Sequence, residues 1–239
     1  MAIDRLEQAE FAENPEPRCP VVLLLDTSGS MVGQPIAELN EGLREFEKAL
    51  KGDRLASLRV EVAVVTFGGG VRAFDVSGGG QREIPFDANQ AFVTADSFQP
   101  PVLEASGETP MGEAVSRALA LLRERKGIYR QNSIDYFRPW ILLATDGNPT
   151  DTGWEAAADA ARAEESRKGV SFYAIGVEGA DMQKLARFSD QRPPLKLKGL
   201  AFRELFQWLS KSLSAVAQLR PGEQAPLAPV GWAQADTAH

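Results

Sequence analysis

The stretch VVLLLDTSGS, residues 21–30, joins an uninterrupted apolar run to a cluster of small oxygen-bearing side chains. An apolar run without alternation predicts a strand buried on both faces, which is typical of a parallel sheet covered by helices. Asp26, Ser28 and Ser30 follow the run at alternate positions. Ligands of open parallel sheets bind beyond the carboxyl ends of the strands, where the strand order reverses. These three side chains are therefore candidate ligand-binding residues.

The chain on both sides of this stretch alternates strand patterns with helical patterns. Buried strands are predicted at 19–26, 59–68, 139–147, 170–178 and about 194–199, and longer helices at about 35–51, 111–126, 154–169 and 202–218. The segment 71–77 follows a Gly-Gly-Gly link that is too short for a parallel crossover, so an antiparallel hairpin is expected. The pattern predicts a Rossmann-like, doubly wound α/β fold with a six-stranded, mostly parallel sheet. Strand 71–77 is expected to be its antiparallel edge, with helices on both faces.

The composition excludes several classes of function. Acidic residues number 33 and basic residues 26, a net charge of -7 that argues against a nucleic-acid partner. The single cysteine, Cys19, rules out an intrachain disulfide and a cysteine zinc site, and we expect it to be an inert packing residue. The single histidine, His239, is the last residue, which rules out a Ser-His-Asp triad and a histidine-ligated zinc enzyme.

One domain is expected in the 239 residues. We assign residues 18–220 to it, with an N-terminal extension (1–17) and a Pro/Ala-rich tail (221–239) in which Trp232 is a candidate buried residue. No apolar run approaches the roughly 18 residues of a membrane span, and the acidic N-terminal stretch is not typical of a secretory signal. The expectation is a cytoplasmic protein that does not enter a membrane.

Two more segments carry oxygen ligands at matching places. Asp146 follows the apolar run of LLATDG, and Thr109 precedes a helix in SGETPMGEAV. If the strands that end at Asp26 and Asp146 are neighbours, both carboxylates face one crevice. Two carboxylates and three hydroxyls form an all-oxygen set that suits Mg²⁺ or Mn²⁺, with water completing the coordination. Nothing nearby in the sequence has the pattern of a base poised to activate a water, which favours a binding site over a catalytic one.

This set of residues resembles the von Willebrand factor A domain with its metal-ion-dependent adhesion site. The family pattern is Asp-x-Ser-x-Ser, a distant Thr, and an Asp in a Thr-Asp-Gly turn. It is matched in order by Asp26, Ser28, Ser30, Thr109 and Asp146. The resemblance covers roughly residues 18–218. It implies a non-enzymatic, metal-dependent module whose protein partner supplies an acidic residue to the metal.

Within that family, three stretches resemble the bacterial, cytoplasmic tellurium-resistance TerY type. They are residues 20–43, 98–114 and 142–154. This resemblance implies association with protein kinases, with PP2C-type phosphatases and with stress or metal-resistance systems. Glu108 departs from the family pattern, which has Gly before the Thr, so its carboxylate is expected either to crowd the metal or to act as an outer-shell acceptor.

Other interpretations of the same residues stay open. The protein is alternatively a metal-dependent phosphohydrolase, or a scaffold whose metal is purely structural. Asp26, Ser28 and Ser30 on their own also suit a turn between a strand and a helix. Elsewhere, the Gly-Gly-Gly stretches at 68–70 and 78–80 predict hairpin links, and the basic RERK at 123–126 predicts a solvated face at a helix end.

Overall fold

A mixed β-sheet organises the chain in the computed structural model, which describes residues 11, 13–78, 82–223 and 227–234. Within these residues the sheet has nine strands: β1 (Cys19–Asp26), β2 (Val60–Phe67), β3 (Val71–Phe74), β4 (Glu83–Ile84), β5 (Val93–Thr94), β6 (Trp140–Thr145), β7 (Ser171–Gly176), β8 (Leu195–Leu197) and β9 (Ala233–Gln234). Their spatial order is β4–β3–β2–β1–β6–β7–β8–β9, and β5 pairs separately with β2. The central strands β2, β1, β6, β7 and β8 are parallel.

The mostly parallel α/β architecture with an antiparallel side is confirmed, but the predicted count of six strands is too low. All six predicted strands are present, and β4, β5 and β9 are additional. Each additional strand has only two residues, too few for any periodicity in the sequence to indicate it. The strand predicted at 71–77 is shorter, and it is antiparallel to β2 as expected. It is not the edge, because β4 pairs with its outer side.

Helices cover both faces of the sheet. They are α1 (Gln34–Lys51), α2 (Arg54–Arg59), α3 (Ala88–Ala91), α4 (Met111–Gln131), α5 (Trp154–Ser166), α6 (Met182–Leu185) and α7 (Phe202–Ala217). One apolar core lies between the sheet and α1 and α7, and the other lies between the sheet and α4 and α5. Among the described helices, none combines the length and apolar composition that a bilayer crossing requires.

The contact between α1 and α7 depends on Gly42. A Cβ atom at this position would lie 2.6 Å from the Phe206 ring and 3.1 Å from the Phe202 carbonyl oxygen. The absence of a side chain therefore lets the two helices pack with their backbones close together. Leu43 and Phe46 of α1 are fully buried in the core beneath this contact.

Part of the predicted C-terminal tail packs against α7. Trp232 is only 4% exposed, and its ring lies 5.5 Å from the Trp208 ring in an edge-to-face arrangement. The Trp208 indole nitrogen donates a hydrogen bond to the Ala228 carbonyl oxygen at 2.8 Å. The following residues form β9, which pairs with β8. The tail thus extends the sheet and covers one side of the last helix.

A buried ion cluster occupies the opposite end of the sheet from the end of β1. Glu61 accepts hydrogen bonds from Arg18 at 2.9 Å, from two nitrogens of Arg125 at 2.8 Å each, and from the Tyr129 hydroxyl. All four side chains are completely buried. Burial alone would raise the pKa of Glu61, but Arg125, Tyr129 and Arg18 outweigh it and hold that pKa below its ordinary value.

Within RERK, Arg123 and Glu124 are exposed as expected, and this cluster corrects the expectation of a solvated face for Arg125 alone. Arg125 and Tyr129 lie one helical turn apart on α4, so both side chains project toward β2. The neighbouring residue Cys19 is fully buried, and burial, followed by the charge of Glu61, raises the pKa of its thiol to about 12. The predicted packing role is confirmed by this burial, and the raised pKa disfavours the reactive thiolate form.

Candidate metal site

The candidate site lies where the strand order reverses. The chain passes from β1 to β2 on one side, and later places β6 on the other side of β1. β1 and β6 run parallel with Leu25 opposite Ala144, so the residues that follow both strands emerge at the same edge of the sheet. Asp26 and Asp146 therefore face one crevice, as expected if their strands are neighbours.

Asp26 is a fully buried carboxylate held by neutral donors. Its Oδ1 accepts the Ser28 amide at 2.8 Å, and its Oδ2 accepts the Thr145 hydroxyl. Burial raises the pKa of Asp26, hydrogen bonds from Ser28 and Thr145 lower it, and the charge of Asp146 raises it; the net direction is upward. Thr145 is a site residue that the sequence pattern did not single out, although it directly precedes Asp146.

Hydroxyl groups connect Asp26 to Asp146. The Ser28 and Ser30 hydroxyl oxygens are 3.1 Å apart, and the Ser30 hydroxyl donates to Asp146 Oδ1 at 2.7 Å. Ser28 is buried, whereas Ser30 is exposed. Four of the five predicted ligands thus form one continuous chain of contacts that leads from the protein interior to solvent.

Thr109 completes the set through its position beside Gly147. A Cβ atom built on Gly147 would lie 3.1 Å from Thr109 Oγ1 and 3.6 Å from Asp26 Oδ2. The two oxygens therefore border the same small space, and a glycine at 147 leaves that space free. The Gly147 amide donates to Thr145 Oγ1 at 3.1 Å, which fixes the turn that carries Asp146.

The loops that carry Thr109 and Asp146 are clamped together. The Thr109 amide donates to the Thr150 hydroxyl at 3.1 Å, and the Thr150 amide donates to the Thr109 carbonyl at 3.0 Å. Asp151 accepts the amides of Gly112 and Glu113, at 3.1 and 2.8 Å, in the first turn of α4. A carboxylate at a helix N-terminus is favoured by the helix dipole. Sequence reasoning missed both clamp residues, because their partners lie about forty positions away.

Glycines pack the remaining loop against the site. The Gly29 amide donates to the Gly107 carbonyl at 2.9 Å, and Gly107 has a φ of +77°. A Cβ at Gly68 would lie 2.1 Å from the Thr27 carbonyl oxygen. The link at 68–70 joins β2 and β3 as a hairpin, as predicted, and it also gives these loops room to approach. The Glu108 side chain is exposed at this surface.

The donor chemistry of the crevice fits a hard divalent cation. It offers carboxylate and hydroxyl oxygens, with space at Gly147 between two of them. Neither Asp26 nor Asp146 forms an ion pair with any Lys or Arg in the described part of the chain. Nor do those residues contain a group of three or more His, Cys, Asp or Glu side chains that could hold a metal by themselves. Hydroxyl ligands and water would have to complete the coordination.

Residues 21–202 match the family described as the von Willebrand factor type A domain. The match covers more than half of the 239 residues, so the chain belongs to that family. The comparison with curated proteins gave no match.

Solved structures show the same fold at low identity. A von Willebrand factor type A protein from Catenulispora acidiphila is 17% identical, with a TM-score of 0.59 over 83% of this chain and 43% of that one. The pilus adhesin SpaC from Lactobacillus rhamnosus GG is 14% identical, with a TM-score of 0.60 over 84% and 30%. Proximal thread matrix protein 1 from the mussel byssus, with zinc in its MIDAS motif, is 16% identical, with a TM-score of 0.55 over 83% and 48%. The chain spans less than half of each.

Proposed function

We propose that this domain is a non-enzymatic, metal-dependent protein-interaction module. Mg²⁺ or Mn²⁺ would be held by Asp26, Ser28, Ser30, Thr109 and Asp146. The observation that carries the proposal is the environment of Asp26. This carboxylate is completely buried, yet its partners are a backbone amide and a hydroxyl, and a second carboxylate lies across the crevice. Such an arrangement is costly until a cation enters it.

The five predicted ligands differ in charge and in exposure to solvent. Asp26 and Asp146 offset the charge of the ion, while the three hydroxyls add neutral oxygens. A bound divalent cation would supply an electrophilic coordination position for a carboxylate of another protein. Ser30 and Asp146 lie on the solvent side of the contact chain, so a partner approaches from there. The zinc in the MIDAS motif of the mussel protein and the adhesin role in the SpaC name support this assignment.

The finer assignment follows the TerY-type stretches of the sequence. It is a bacterial, cytoplasmic role in a stress response such as tellurium resistance, or in signalling linked to a protein kinase or a PP2C-type phosphatase. The partner would then present an exposed Asp or Glu to the site. Pull-down assays with a candidate protein kinase and a candidate PP2C-type phosphatase, each in Mg²⁺ and in chelator, test this assignment. Binding that is equal in both conditions contradicts it.

Calorimetric titration with Mn²⁺ and Mg²⁺ tests the metal site itself. We expect one saturable site in the wild type, its loss in Asp26→Asn, and weakened binding in Thr109→Ala. Asp159→Asn is the matched control, because Asp159 is an exposed carboxylate on α5. Equal binding by Asp26→Asn and the wild type would refute the site.

Two further measurements separate the alternative functions. In the interaction module, acetate added to the Mn²⁺-loaded protein should change the electron paramagnetic resonance spectrum, because one coordination position is open to a carboxylate. A purely structural metal predicts an unchanged spectrum. Hydrolysis of p-nitrophenyl phosphate that requires Mn²⁺ and disappears in Asp26→Asn would instead identify a phosphohydrolase.

A further inference from the structure

A small polar pocket lies beside the candidate metal site. Its volume is about 140 Å³, and its polar lining residues are Thr27, Thr66, Arg72, Glu83, Glu104 and Ser106. Thr66 pairs with Arg72 across β2 and β3, and Glu83 lies opposite Phe74 on the next strand pair. Val62 and Val64 of β2 lie in the core beneath α1 and α7. Alternate residues of a strand share a face, so Thr66 and the residues paired with it lie on this same face of the sheet. The pocket is therefore built on strands, with loop residues closing its other side.

Two nearly buried hydroxyls line this pocket without a protein partner. Thr27 is 5% exposed and Thr66 is 3% exposed. Within the part of the chain that the structure describes, neither hydroxyl forms a hydrogen bond. Neither oxygen is among the fully buried, unpartnered polar atoms of the described residues, so both keep contact with the water of the pocket. A polar group that enters the pocket can replace that water as their hydrogen-bond partner.

The charge of the pocket favours a cation. Glu83 and Glu104 contribute two carboxylates and Arg72 contributes one guanidinium. Arg72 Nε lies 3.3 Å from Glu83 Oε1, and both side chains are about half exposed, which makes this a weak pair. Glu104 is exposed and forms no ion pair among the described residues. An ammonium group has three donors and no acceptor, which complements hydroxyl and carboxylate oxygens.

The pocket and the candidate metal loop share one residue. Thr27 stands between Asp26 and Ser28, and its carbonyl oxygen accepts the Ser106 amide at 2.7 Å. One segment of backbone therefore presents metal ligands on one side and a pocket hydroxyl on the other.

We propose that this pocket binds a basic side chain, supplied by the same protein partner whose carboxylate approaches the metal. The role in partner binding rests on the proposed function, whereas binding of the cation itself does not. The recognition element of the partner would then carry an acidic and a basic residue close together. The metal would bind the acidic residue of the partner, and the pocket would bind the basic residue beside it.

The probe for this pocket is N-acetyl-lysine methylamide, followed by nuclear magnetic resonance of the Thr27 and Thr66 methyl groups. We expect saturable chemical-shift changes with a dissociation constant near ~1 mM. This value corresponds to a binding free energy of about 4 kcal/mol, which suits a single side chain. Thr66→Val keeps the shape of the residue but removes its hydroxyl, and Glu104→Gln removes an exposed charge. Thr66→Val should weaken binding about tenfold, since a hydrogen bond to a charged group is among the stronger ones. Glu104→Gln should weaken it about threefold, since an exposed charge contributes less. Glu108→Gln is the control, because Glu108 is an exposed carboxylate outside the pocket lining. This variant should bind the lysine probe as the wild type does.

Several outcomes overturn the inference. Equal binding of N-acetyl-norleucine methylamide would show that charge is irrelevant. Absence of saturable shifts, or wild-type affinity in Glu104→Gln, would show that this pocket does not hold a cation. The titration is repeated in chelator and with Asp26→Asn, where lysine binding should persist. If lysine binds but Mn²⁺ does not, the cation pocket stands, and its role beside a metal-held partner is refuted together with the proposed function. If Mn²⁺ binds but lysine does not, only the pocket fails.

Discussion

Two buried carboxylates at opposite ends of one strand pair have opposite environments. Glu61 stands near the start of β2 and Asp26 at the end of the parallel strand β1. Both are completely buried. Glu61 is surrounded by two arginines and a tyrosine, and its pKa is lowered; Asp26 has an amide and a hydroxyl as partners, and its pKa is raised.

The contrast separates a structural charge from one that is available for binding. At Glu61 the chain supplies its own cations, so the charge is neutralised as soon as the protein folds. At Asp26 the chain supplies hydroxyls and a second carboxylate, and no Lys or Arg of the described residues pairs with its charge. Removing one partner from a buried ion pair is strongly destabilising, whereas an uncompensated buried charge is stabilised by an added cation. Each of the following experiments tests one side of this contrast.

The largest effect is expected from Glu61→Gln. The substitution leaves the buried guanidinium groups of Arg18 and Arg125 without their counter-charge, and the free energy of unfolding should fall by about 3–5 kcal/mol. Urea unfolding at neutral pH measures it. Glu47→Gln is the control, because Glu47 pairs with Lys51 at 2.7 Å on a partly exposed helix face and should cost no more than about 0.5 kcal/mol. Similar losses in the two variants would show that the cluster has no special structural role.

Metal should act on the other region and produce the next largest effect. At a hundredfold excess over its dissociation constant, Mg²⁺ or Mn²⁺ should stabilise the wild type by about 2.7 kcal/mol. Asp26→Asn should show no such gain, and Glu61→Gln should keep it. Thermal unfolding with and without the ion provides the measurement. In chelator the wild type should remain folded, because the two apolar cores contain no metal ligand; unfolding there would contradict this view.

Acid should change the two regions in opposite directions. The pKa of Glu61 is lowered in the folded protein, so its contribution to stability is present above the ordinary glutamate value near 4.5 and is lost as the pH falls through the folded pKa. The pKa of Asp26 is raised, so without metal the folded protein loses stability as the pH rises from the ordinary aspartate value near 3.8 through the folded pKa. In chelator, the free energy of unfolding of Asp26→Asn should therefore increase relative to that of the wild type as the pH rises to neutral. A constant difference in unfolding free energy across the pH series would refute the raised pKa.

The smallest effect is expected at Glu108, which lies on the surface of the metal-side loops. Its side chain is exposed, and its backbone carbonyl accepts the Gly69 amide at 3.3 Å. Glu108→Gln should change the free energy of unfolding by less than about 0.5 kcal/mol. Its Mn²⁺ affinity should stay within about twofold of the wild type. A large change in affinity would show that the carboxylate reaches the metal shell.

Local patterns in the sequence were sufficient to predict the crevice. The unbroken apolar runs predicted the central strands, and the ligand candidates stand directly after those strands or just before a helix. The structure joins Asp26, Ser28, Ser30 and Asp146 by contacts and places Thr109 beside them. Whether they bind metal stays a prediction.

Long-range pairing explains what the sequence did not reveal. Arg18 and Arg125 look like surface residues in the sequence, and their burial depends on Glu61, which is 43 and 64 positions away. The clamp formed by Asp151 joins segments 38 and 39 positions apart. Charge pairs of this kind have no periodic signature, so they become evident only when the strands and helices are assembled.

The close packing of α1 on α7 at Gly42 has a practical consequence for fragment boundaries. The family match ends at residue 202, where α7 begins. A recombinant fragment cut there would expose the apolar side chains of α1 that α7 covers, among them Leu43 and Phe46. An exposed apolar patch on a helix promotes aggregation. The segment that cooperates in folding therefore reaches past the family match, through α7 and on to the tryptophan pair that seals its outer side.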